Sequence, residues 1–353
     1  MIASFRLTGG HMKTGSITIS LILAAVVACL TLAQDDSLAF DSGPASISGN
    51  LFAAAIISDS ACILMGDRGK IFLSNDSAKT WRKVDSNTGS ALVSVCFPDD
   101  KNGWAVGQGG VIIHTTDGGR TWTPQASGVD KDLLAVDFFD TDSGVAVGAD
   151  SAVVMTADGG RTWNGSSFTI ANEFEDDPDL AEEYNLFAVR MMDARQVCIS
   201  GDGGRIFITR DAGQTWIDVK SPLYDEDMMT GRVLYSMAYD SGVLYAVGID
   251  CTFVYSKDQG ITWTIGDTGY TDPDLFSFDI VDGKGIAVGS GGNIIQTSDG
   301  GASWKMVQAP EKVTRSWLSG IDLRKDSSGN IIALVAGQDG AAGLFKDGSF
   351  NWH

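Results

Sequence analysis

One stretch decides the fold of this chain: Thr116-Asp117-Gly118-Gly119-Arg120-Thr121-Trp122, which returns as Ala157-Asp158-Gly159-Gly160-Arg161-Thr162-Trp163. Related copies occur along the sequence, and each has an aspartate five residues before a tryptophan. The pairs are Asp76 with Trp81, Asp117 with Trp122, Asp158 with Trp163, Asp211 with Trp216, Asp258 with Trp263, Asp299 with Trp304, and Asp347 with Trp352. Intervals between successive tryptophans range from 41 residues (Trp81 to Trp122) to 53 residues (Trp163 to Trp216), which indicates an array of seven similar units.

The aspartates and tryptophans of these boxes are predicted to be structural. A carboxylate in a turn can accept hydrogen bonds from the backbone of that turn. Gly118 and Gly119 suit a backbone with positive φ, where a side chain would clash. Each tryptophan offers a large apolar surface to the turn and to the neighbouring sheet. Because seven equivalent aspartates cannot all be catalytic, we assign both residue types to the scaffold.

Three short strand patterns precede each box. In the second unit they are Leu92–Phe97, Gly103–Gly107 and Val111–His114, and a fourth strand begins at Trp122. Four short strands in a unit of about 40–50 residues are typical of a propeller blade. The 43 glycines among 353 residues agree with many tight turns. The sequence therefore predicts an all-β, seven-bladed β-propeller of four-stranded antiparallel blades over residues 48–353.

Residues 1–33 are predicted to be a signal for export. Lys13 precedes an uncharged run, Thr14–Ala33, which has an apolar centre and small residues at its end. The triplet Thr31-Leu32-Ala33 fits a signal-peptidase site before Gln34. Met12 fits a natural start, which makes residues 1–11 a start-site extension. The protein is therefore expected in the periplasm or outside the cell.

Two alternatives to cleavage remain open for this segment. Cys29 lies in a permissive lipoprotein box, so the protein could instead be anchored through a lipid at that residue. The apolar run could also stay uncleaved as a membrane anchor. In each case residues 34–47 are predicted to be a linker between the leader and the propeller.

The net charge of −20 excludes two classes of partner. A nucleic-acid binder needs a basic surface, and anionic lipid surfaces would repel this protein. His114 is the one histidine inside the repeats, so there is no basis for a Ser/His/Asp triad or a histidine metal cluster. We predict no cofactor and no metal ion, and we expect the acidic surface to keep the protein monomeric.

The cysteines of the repeats match no zinc motif. They are Cys62, Cys96, Cys198 and Cys251. Because free cysteine usually behaves as a small buried hydrophobe, we predict buried, unpaired core residues. A disulfide between Cys62 and Cys96 in neighbouring units is the alternative.

One face of the propeller is predicted to carry the binding site. In a four-stranded blade, the turns between second and third strands share a face with the connections between blades, and the Asp boxes lie on the opposite face. The 53-residue interval from Trp163 to Trp216 and the 47-residue interval from Trp216 to Trp263 carry acidic insertions on that first face, Asn164–Tyr184 and Tyr224–Met229. The predicted partner-binding residues are Asp67, Arg68, Asp150, Asp202, Arg205, Asp250, Glu175, Asp176, Asp177, Asp225, Glu226 and Asp227. Three interpretations of these acidic loops remain open: they bind a basic segment of a partner, they only keep the protein solvated, or they bind calcium.

Charged residues also interrupt the apolar first strands. Asp137, Arg190, Asp279 and Asp322 occupy matching positions in their units. We interpret them as a ring of ion pairs or hydrogen bonds between blades. A ligand site in a central channel is the alternative.

The boxes resemble the Asp-box (BNR) repeats of sialidases, other glycoside hydrolases and many non-enzymes. The longer unit, in which Gly103-Trp104-Ala105-Val106-Gly107 precedes Gly109-Gly110-Val111-Ile112 and the box, resembles the photosystem II stability/assembly factor-like family. That resemblance implies a seven-bladed propeller that assembles or stabilises a membrane protein complex from the exported side. Photosynthetic members carry an arginine patch, whereas the basic residues near these turns are Arg68, Lys70 and Arg205. We therefore expect a non-photosynthetic bacterial member with another client.

Glycoside hydrolysis is the competing enzymatic hypothesis. It needs two carboxyl groups beside one sugar site, and carboxylates are too common here to discriminate. The sequence lacks the arginine triad of sialidases, and the chain is too short for the paired propellers of xyloglucanases. Tyr184, Tyr224 and Tyr270 keep a carbohydrate-binding alternative open. We predict a non-catalytic, exported scaffold that binds a protein client.

Overall fold

Seven four-stranded antiparallel sheets follow one another along the chain, each made of four consecutive strands, and we number them blades 1 to 7. The computed structural model describes residues 45–165, 183–219, 221–225, 230–311 and 313–353. The predicted export signal and most of the linker, residues 34–44, lie outside these ranges. The predicted architecture of seven four-stranded blades is confirmed.

The strands of the first four blades have the following bounds. Blade 1 contains β1 (Leu51–Ile56), β2 (Cys62–Gly66), β3 (Ile71–Ser74) and β4 (Arg82–Val84). Blade 2 contains β5 (Leu92–Cys96), β6 (Gly103–Gly107), β7 (Ile112–Thr115) and β8 (Thr123–Gln125). Blade 3 contains β9 (Leu133–Phe138), β10 (Gly144–Gly148), β11 (Val153–Thr156) and β12 (Asn164–Gly165). Blade 4 contains β13 (Leu186–Met191), β14 (Val197–Gly201), β15 (Ile206–Thr209) and β16 (Ile217–Val219).

A two-stranded hairpin, β17 (Tyr224–Asp225) with β18 (Thr230–Gly231), separates blade 4 from blade 5. Blade 5 contains β19 (Leu234–Asp240), β20 (Val243–Gly248), β21 (Phe253–Ser256) and β22 (Thr264–Ile265). Blade 6 contains β23 (Leu275–Val281), β24 (Lys284–Gly289), β25 (Ile294–Thr297) and β26 (Lys305–Val307). Blade 7 contains β27 (Leu318–Lys325), β28 (Ile331–Gly337), β29 (Ala342–Lys346) and β30 (Ser349–Trp352). In the described ranges, no helix has the length and hydrophobicity needed to cross a membrane.

The first strands of the blades form the inner ring. Each contacts the first strand of the next blade, from β1 through β27 and back to β1. No blade is shared between the two ends of the chain, so side chains close the ring. The Ile56 N–H donates to Asp322 Oδ2 (2.6 Å), and Arg324 Nη1 donates to the Ile56 carbonyl (2.8 Å). These bonds join residues more than 260 positions apart.

Apolar side chains fill the spaces between blades. Between blades 1 and 2, for example, Ile63 and Leu73 pack with Ala105, Ile113 and the box residue Trp122. Trp122 is 2% exposed, and its Nε1 donates to the Gly119 carbonyl (3.3 Å). A box tryptophan therefore joins its own turn to the preceding blade, which explains why its position recurs.

The Asp boxes are closed by short-range hydrogen bonds. Asp117 Oδ1 accepts from the backbone N–H groups of Arg120 and Thr121 (both 2.9 Å) and from Thr115 Oγ1 (2.8 Å), while Oδ2 accepts from Thr121 Oγ1 (2.7 Å). The corresponding side-chain pattern recurs at five further aspartates: Asp76, Asp158, Asp211, Asp258 and Asp299. Hydrogen bonds from Thr80 to the Asp76 carboxylate lower its pKa to about 2.

The seventh unit differs from the box expected there. Asp347 and Gly348 both have positive φ (52° and 81°) and connect β29 directly to β30. A two-residue turn with positive φ at both positions matches the right-handed twist of a hairpin. The sequence Asp-Gly therefore forms a tight hairpin turn in blade 7.

The four cysteines of the described ranges are unpaired. Cys62, Cys198 and Cys251 are buried, and Cys96 is half-buried. Burial raises the pKa of the Cys62 thiol to about 12, so this thiol is neutral. The structure therefore agrees with the prediction of free core cysteines, and the alternative Cys62–Cys96 disulfide is not formed.

Candidate functional site

Two faces of the propeller can be told apart by what their turns contact. At the face that we call the connection face, Gly110 (φ 73°) lies so close to the blade-to-blade segment that an added Cβ would be 2.1 Å from the Val129 carbonyl oxygen. At the opposite face, the Asp-box turn of blade 2 bonds to the turn between its first two strands, from Gly118 N to Lys101 O (2.9 Å). The turns between second and third strands thus lie with the inter-blade connections, as the strand order requires.

Charged residues occupy strained backbone positions at the tips of the connection face. The second residue of each turn has positive φ, and in blades 2, 4 and 6 this residue is glycine. The other four blades place a charged, exposed side chain there: Arg68, Asp150, Asp250 and Asp339. We call these four residues the charged tips. A non-glycine residue in this region costs about 1 kcal/mol or more, so the backbone alone does not favour them.

Two of the predicted binding carboxylates hold turns of the connection face in place. Asp202 Oδ2 accepts from the Asn185 backbone N–H (3.0 Å) and from Asn185 Nδ2 (2.8 Å). Burial raises the pKa of Asp202. Asp67 pairs with Lys70 (2.9 Å) and accepts from the Asn50 N–H (3.3 Å). Both carboxylates therefore fasten a turn to the start of the first strand of the same blade.

Arg205 anchors the bases of the two insertions. Its guanidinium lies 5.2 Å from the centre of the Tyr184 ring and 4.7 Å from the centre of the Tyr224 ring, and it forms an ion pair with Asp218. Tyr184 is the last residue of the first insertion, and Tyr224 begins the hairpin of the second. The Arg205 side chain is only 15% exposed, so it acts as a positioning residue between these segments.

The remaining predicted binding residues belong to the insertions. Glu175, Asp176, Asp177, Glu226 and Asp227 lie outside the described residues. Asp225 is the last residue of β17, and only its backbone is described. The structure therefore brings Asp150 and Asp250 to exposed tips, uses Asp67, Asp202 and Arg205 to hold segments together, and leaves the insertion residues as predictions.

The charged positions of the inner ring join neighbouring blades. Asp137 pairs with Arg190 (3.2 Å) and accepts from the Met191 N–H (2.7 Å) in blade 4. Asp279 and Asp322 make the same kind of bond, to the Leu323 N–H (2.8 Å) and the Ile56 N–H (2.6 Å). Each aspartate thus binds the first strand of the next blade, which is the predicted inter-blade ring.

The pKa values of Asp279, Asp322 and Arg190 in this ring are shifted by different causes. Burial and the nearby Asp322 carboxylate raise the pKa of Asp279 to about 7, even though the Arg190 charge acts in the opposite direction. Burial also raises the pKa of Asp322. For Arg190, burial disfavours the charged form, but the carboxylates of Asp137 and Asp279 outweigh it and raise the pKa. Arg190 is therefore charged at any physiological pH, whereas Asp279 titrates near neutrality.

A group of side chains at the centre of the connection face was not predicted from the sequence. Every first strand begins with a fully buried leucine, and the next residue is a β-bulge. We call these seven bulge residues the collar: Phe52, Val93, Leu134, Phe187, Tyr235, Phe276 and Ser319. Four of the seven are aromatic, and this recurrence after the leucine was the signal in the sequence that could have found them.

His114, the one histidine inside the repeats, packs against an aromatic ring. His114 stacks on Trp104 (ring centres 4.3 Å apart), and burial lowers its pKa. Within the described ranges, no group of three or more His, Cys, Asp or Glu residues could hold a metal ion. The charged tips and the collar offer charge and aromatic surface for recognition.

Comparisons with known proteins agree with this geometry. The family model described as photosynthesis system II assembly factor YCF48 matches residues 73–163 and 125–226, and the BNR/Asp-box repeat model matches residues 254–264. No curated protein matches the chain at a significant level.

Several solved structures share the fold. The structure "YCF48 bound to D1 peptide" is 17% identical, with 88% of this chain and 95% of that chain covered and a TM-score of 0.63. YCF48 from Cyanidioschyzon merolae is 16% identical, with 87% and 98% covered and a TM-score of 0.66. A GH74 xyloglucanase from Xanthomonas campestris is 14% identical, with 88% of this chain but 55% of that chain covered and a TM-score of 0.64. At such identities these likenesses show the fold alone.

Proposed function

We propose, since residues 73–226 match the family model of the photosystem II assembly factor YCF48, that this chain is a non-catalytic scaffold that binds a protein client on its connection face. The single observation that carries this proposal is the set of charged tips. Four blades keep an exposed charge at a positive-φ position where three other blades have glycine. Strained backbone positions persist where the surrounding structure holds them, and they collect at functional sites.

The family relationship supports a protein as the ligand. One related propeller has been solved with a D1 peptide, so this fold can present a peptide-binding surface. The charge of our chain, −20, favours a client segment of opposite sign. Its client is therefore a basic segment of a protein, and the small number of arginines near the turns favours a protein other than a photosystem subunit.

The finer role follows from the sequence. With residues 1–33 as an export signal, the propeller acts in the periplasm or outside the cell, with Cys29 as a lipid-anchoring alternative. Its role there is that of a monomeric assembly or stability factor for a membrane protein complex of the envelope.

Mild crosslinking in native membranes, followed by affinity purification of the full-length protein, tests this role. We expect one envelope membrane protein to be enriched over a matched pull-down with an unrelated exported propeller. If no protein is enriched while the purified propeller is retained selectively on a glycan array, the proposal is overturned in favour of carbohydrate binding.

The charged tips give a second test, because stability and binding should change in opposite directions. Replacing Asp150 and Asp250 with glycine removes strained backbone, so we expect the free energy of unfolding to rise by about 0.5–1 kcal/mol per site. Crosslinking to the client should fall. The matched control is Asp267→Gly, which removes an exposed carboxylate without relieving positive φ. Unchanged crosslinking in the double variant would assign the tips to solvation.

The carbohydrate alternative depended on three tyrosines with free ring faces. Arg205 occupies the rings of Tyr184 and Tyr224, and the Tyr270 hydroxyl accepts a hydrogen bond from the Met306 N–H (3.1 Å). Arg205 thus lies over one face of each of the first two rings, and Tyr270 packs against the apolar cluster between blades 5 and 6. These contacts favour the protein-client proposal.

A further inference from the structure

The collar concentrates aromatic surface around the axis of the propeller. Along three successive blades, the Phe187 and Tyr235 rings lie 5.4 Å apart and the Tyr235 and Phe276 rings 5.7 Å apart, both edge to face. On the other side of the ring, Phe52 stacks on Trp317 at 5.5 Å. Because these residues belong to different blades, their contact places them side by side around the axis.

The bulges explain why these side chains leave the blade interior. Leu186 pairs with Gly201 and Ala188 pairs with Ser200, so Phe187 has no partner in the neighbouring strand. A bulged residue is re-aimed relative to its neighbours in the strand. Gly201 directly precedes the turn Asp202–Gly204, so the collar lies at the connection face. The rings of Phe187, Tyr235 and Phe276 are half-buried and therefore reached by solvent.

Carboxylates surround the aromatic arc of blades 4 to 6. Asp274 lies two residues before Phe276, and Asp202 accepts a hydrogen bond from the Asn185 N–H (3.0 Å), two residues before Phe187. Burial, together with the charges of Asp274, Asp202 and Asp250, raises the pKa of the Tyr235 hydroxyl. Asp274 and Asp250 are themselves linked, since Asp274 Oδ1 accepts from the Asp250 N–H (3.0 Å). Asp202 Oδ1 is buried and has no hydrogen-bond partner among the described residues. The arc therefore combines aromatic rings with a local excess of negative charge.

Aromatic rings surrounded by carboxylates favour a ligand that is both basic and partly apolar. Arginine and lysine have an apolar stem and a charged end, and cations are attracted both to aromatic rings and to carboxylates. An acidic segment would be repelled, and a purely polar one would gain little from the rings. We propose that the arc of Phe187, Tyr235 and Phe276 anchors a client segment that presents an arginine or lysine beside apolar residues. This inference rests on the proposed function and identifies the part of the connection face that carries most of the affinity.

Fluorescence anisotropy with three labelled peptides of equal length tests the inference on the full-length protein. The peptides combine arginine with leucine, glutamate with leucine, and arginine with serine. We expect the arginine–leucine peptide to bind, the glutamate–leucine peptide not to bind, and the arginine–serine peptide to bind more weakly and to be released first as salt is raised. Equal binding of the glutamate–leucine peptide would overturn the proposal.

Substitutions then locate the peptide. Tyr235→Ala and Phe276→Ala should each weaken the arginine–leucine peptide by about tenfold, while Tyr235→Phe, which keeps the ring, should bind nearly as well as the wild type. Phe139→Ala is the matched control, because Phe139 is 50% exposed and follows β9 at the opposite face. Thermal unfolding checks that each variant is folded. Wild-type affinity in Tyr235→Ala and Phe276→Ala would overturn the proposal.

The same variants separate this inference from the proposed function. If wild type and Tyr235→Ala recover the same client equally on crosslinking, the scaffold function stands and the collar inference fails. If the wild type recovers no client, the proposed function itself fails.

Discussion

Replacing Arg190 with methionine should lower the free energy of unfolding by about 2–4 kcal/mol, because it leaves buried carboxylates without their cation. Arg190 Nη1 pairs with Asp137 (3.2 Å), and Nε donates to the Met237 carbonyl (3.2 Å) in the next blade. Its charge also offsets those of Asp279 and Asp322. Methionine keeps the apolar stem, so the loss reports the charge and its hydrogen bonds.

Urea unfolding followed by tryptophan fluorescence measures this effect. Arg195→Met is the matched control, since Arg195 is an exposed arginine of the same blade and should change stability by less than about 0.5 kcal/mol. Adding Asp137→Asn to Arg190→Met should recover part of the loss, because the unpaired carboxylate is removed. Equal stability of Arg190→Met and the wild type would show that the inner ring contributes nothing to closure.

The pH dependence of stability should be set largely by Asp279. Its pKa is raised to about 7 in the folded protein, against about 3.9 for an unperturbed aspartate. The folded state therefore binds this proton more tightly than the unfolded state does. It follows that the stabilisation is fully present below about pH 4 and is lost as the pH rises through about 7. We expect the wild type to lose on the order of 1–3 kcal/mol between pH 5 and pH 8.

Asp279→Asn tests this assignment. Asparagine can still accept the hydrogen bond from Leu323 but carries no charge, so the variant should be more stable than the wild type at pH 8, with a flatter profile. Asp322 lies near Asp279 and also has a raised pKa, so part of the pH dependence of stability should remain in Asp279→Asn. The Asp-box aspartates affect stability in a different pH range. Carboxylates such as Asp76, with a pKa of about 2, stabilise the folded state above about pH 4 and lose this effect only as the pH falls below that value.

The control for the pH profile is Asp272→Asn, which removes an exposed aspartate at the connection face. This change tests whether the overall negative charge causes the slope, because self-repulsion of a protein of charge −20 also grows as carboxylates ionise. If Asp272→Asn flattens the profile as much as Asp279→Asn does, the slope belongs to the net charge and the inner ring has no special role.

Local chemistry made the scaffold predictable. The contacts of Asp117 join residues two to four positions apart, so spacing alone was enough to recognise the turn. The same spacing predicted an Asp box at the end of blade 7, where Asp347-Gly348 forms a hairpin turn. Only the pairing of β29 with β30 distinguishes the two.

Contacts between distant residues were beyond the sequence pattern. Arg205 looked like a basic residue of the binding face, yet the rings that cover it belong to Tyr184 and Tyr224, on either side of it in the chain. The aromatic arc is even harder to predict from the sequence, since Phe187, Tyr235 and Phe276 are neighbours only because the blades form a ring. Nothing in a single unit reveals that its bulge residue will meet the bulge residue of the next.

The sequence by itself determined the repeat, the number of blades, the structural role of the boxes and the face on which charge collects. Each of these follows from hydrogen bonds and strand patterns within one unit of the chain. Closure of the ring decided the rest: which charges pair, which carboxylate titrates near neutrality and which side chains meet at the axis. Burial and the approach of charges from other blades set those properties, and both exist only when all seven blades are assembled.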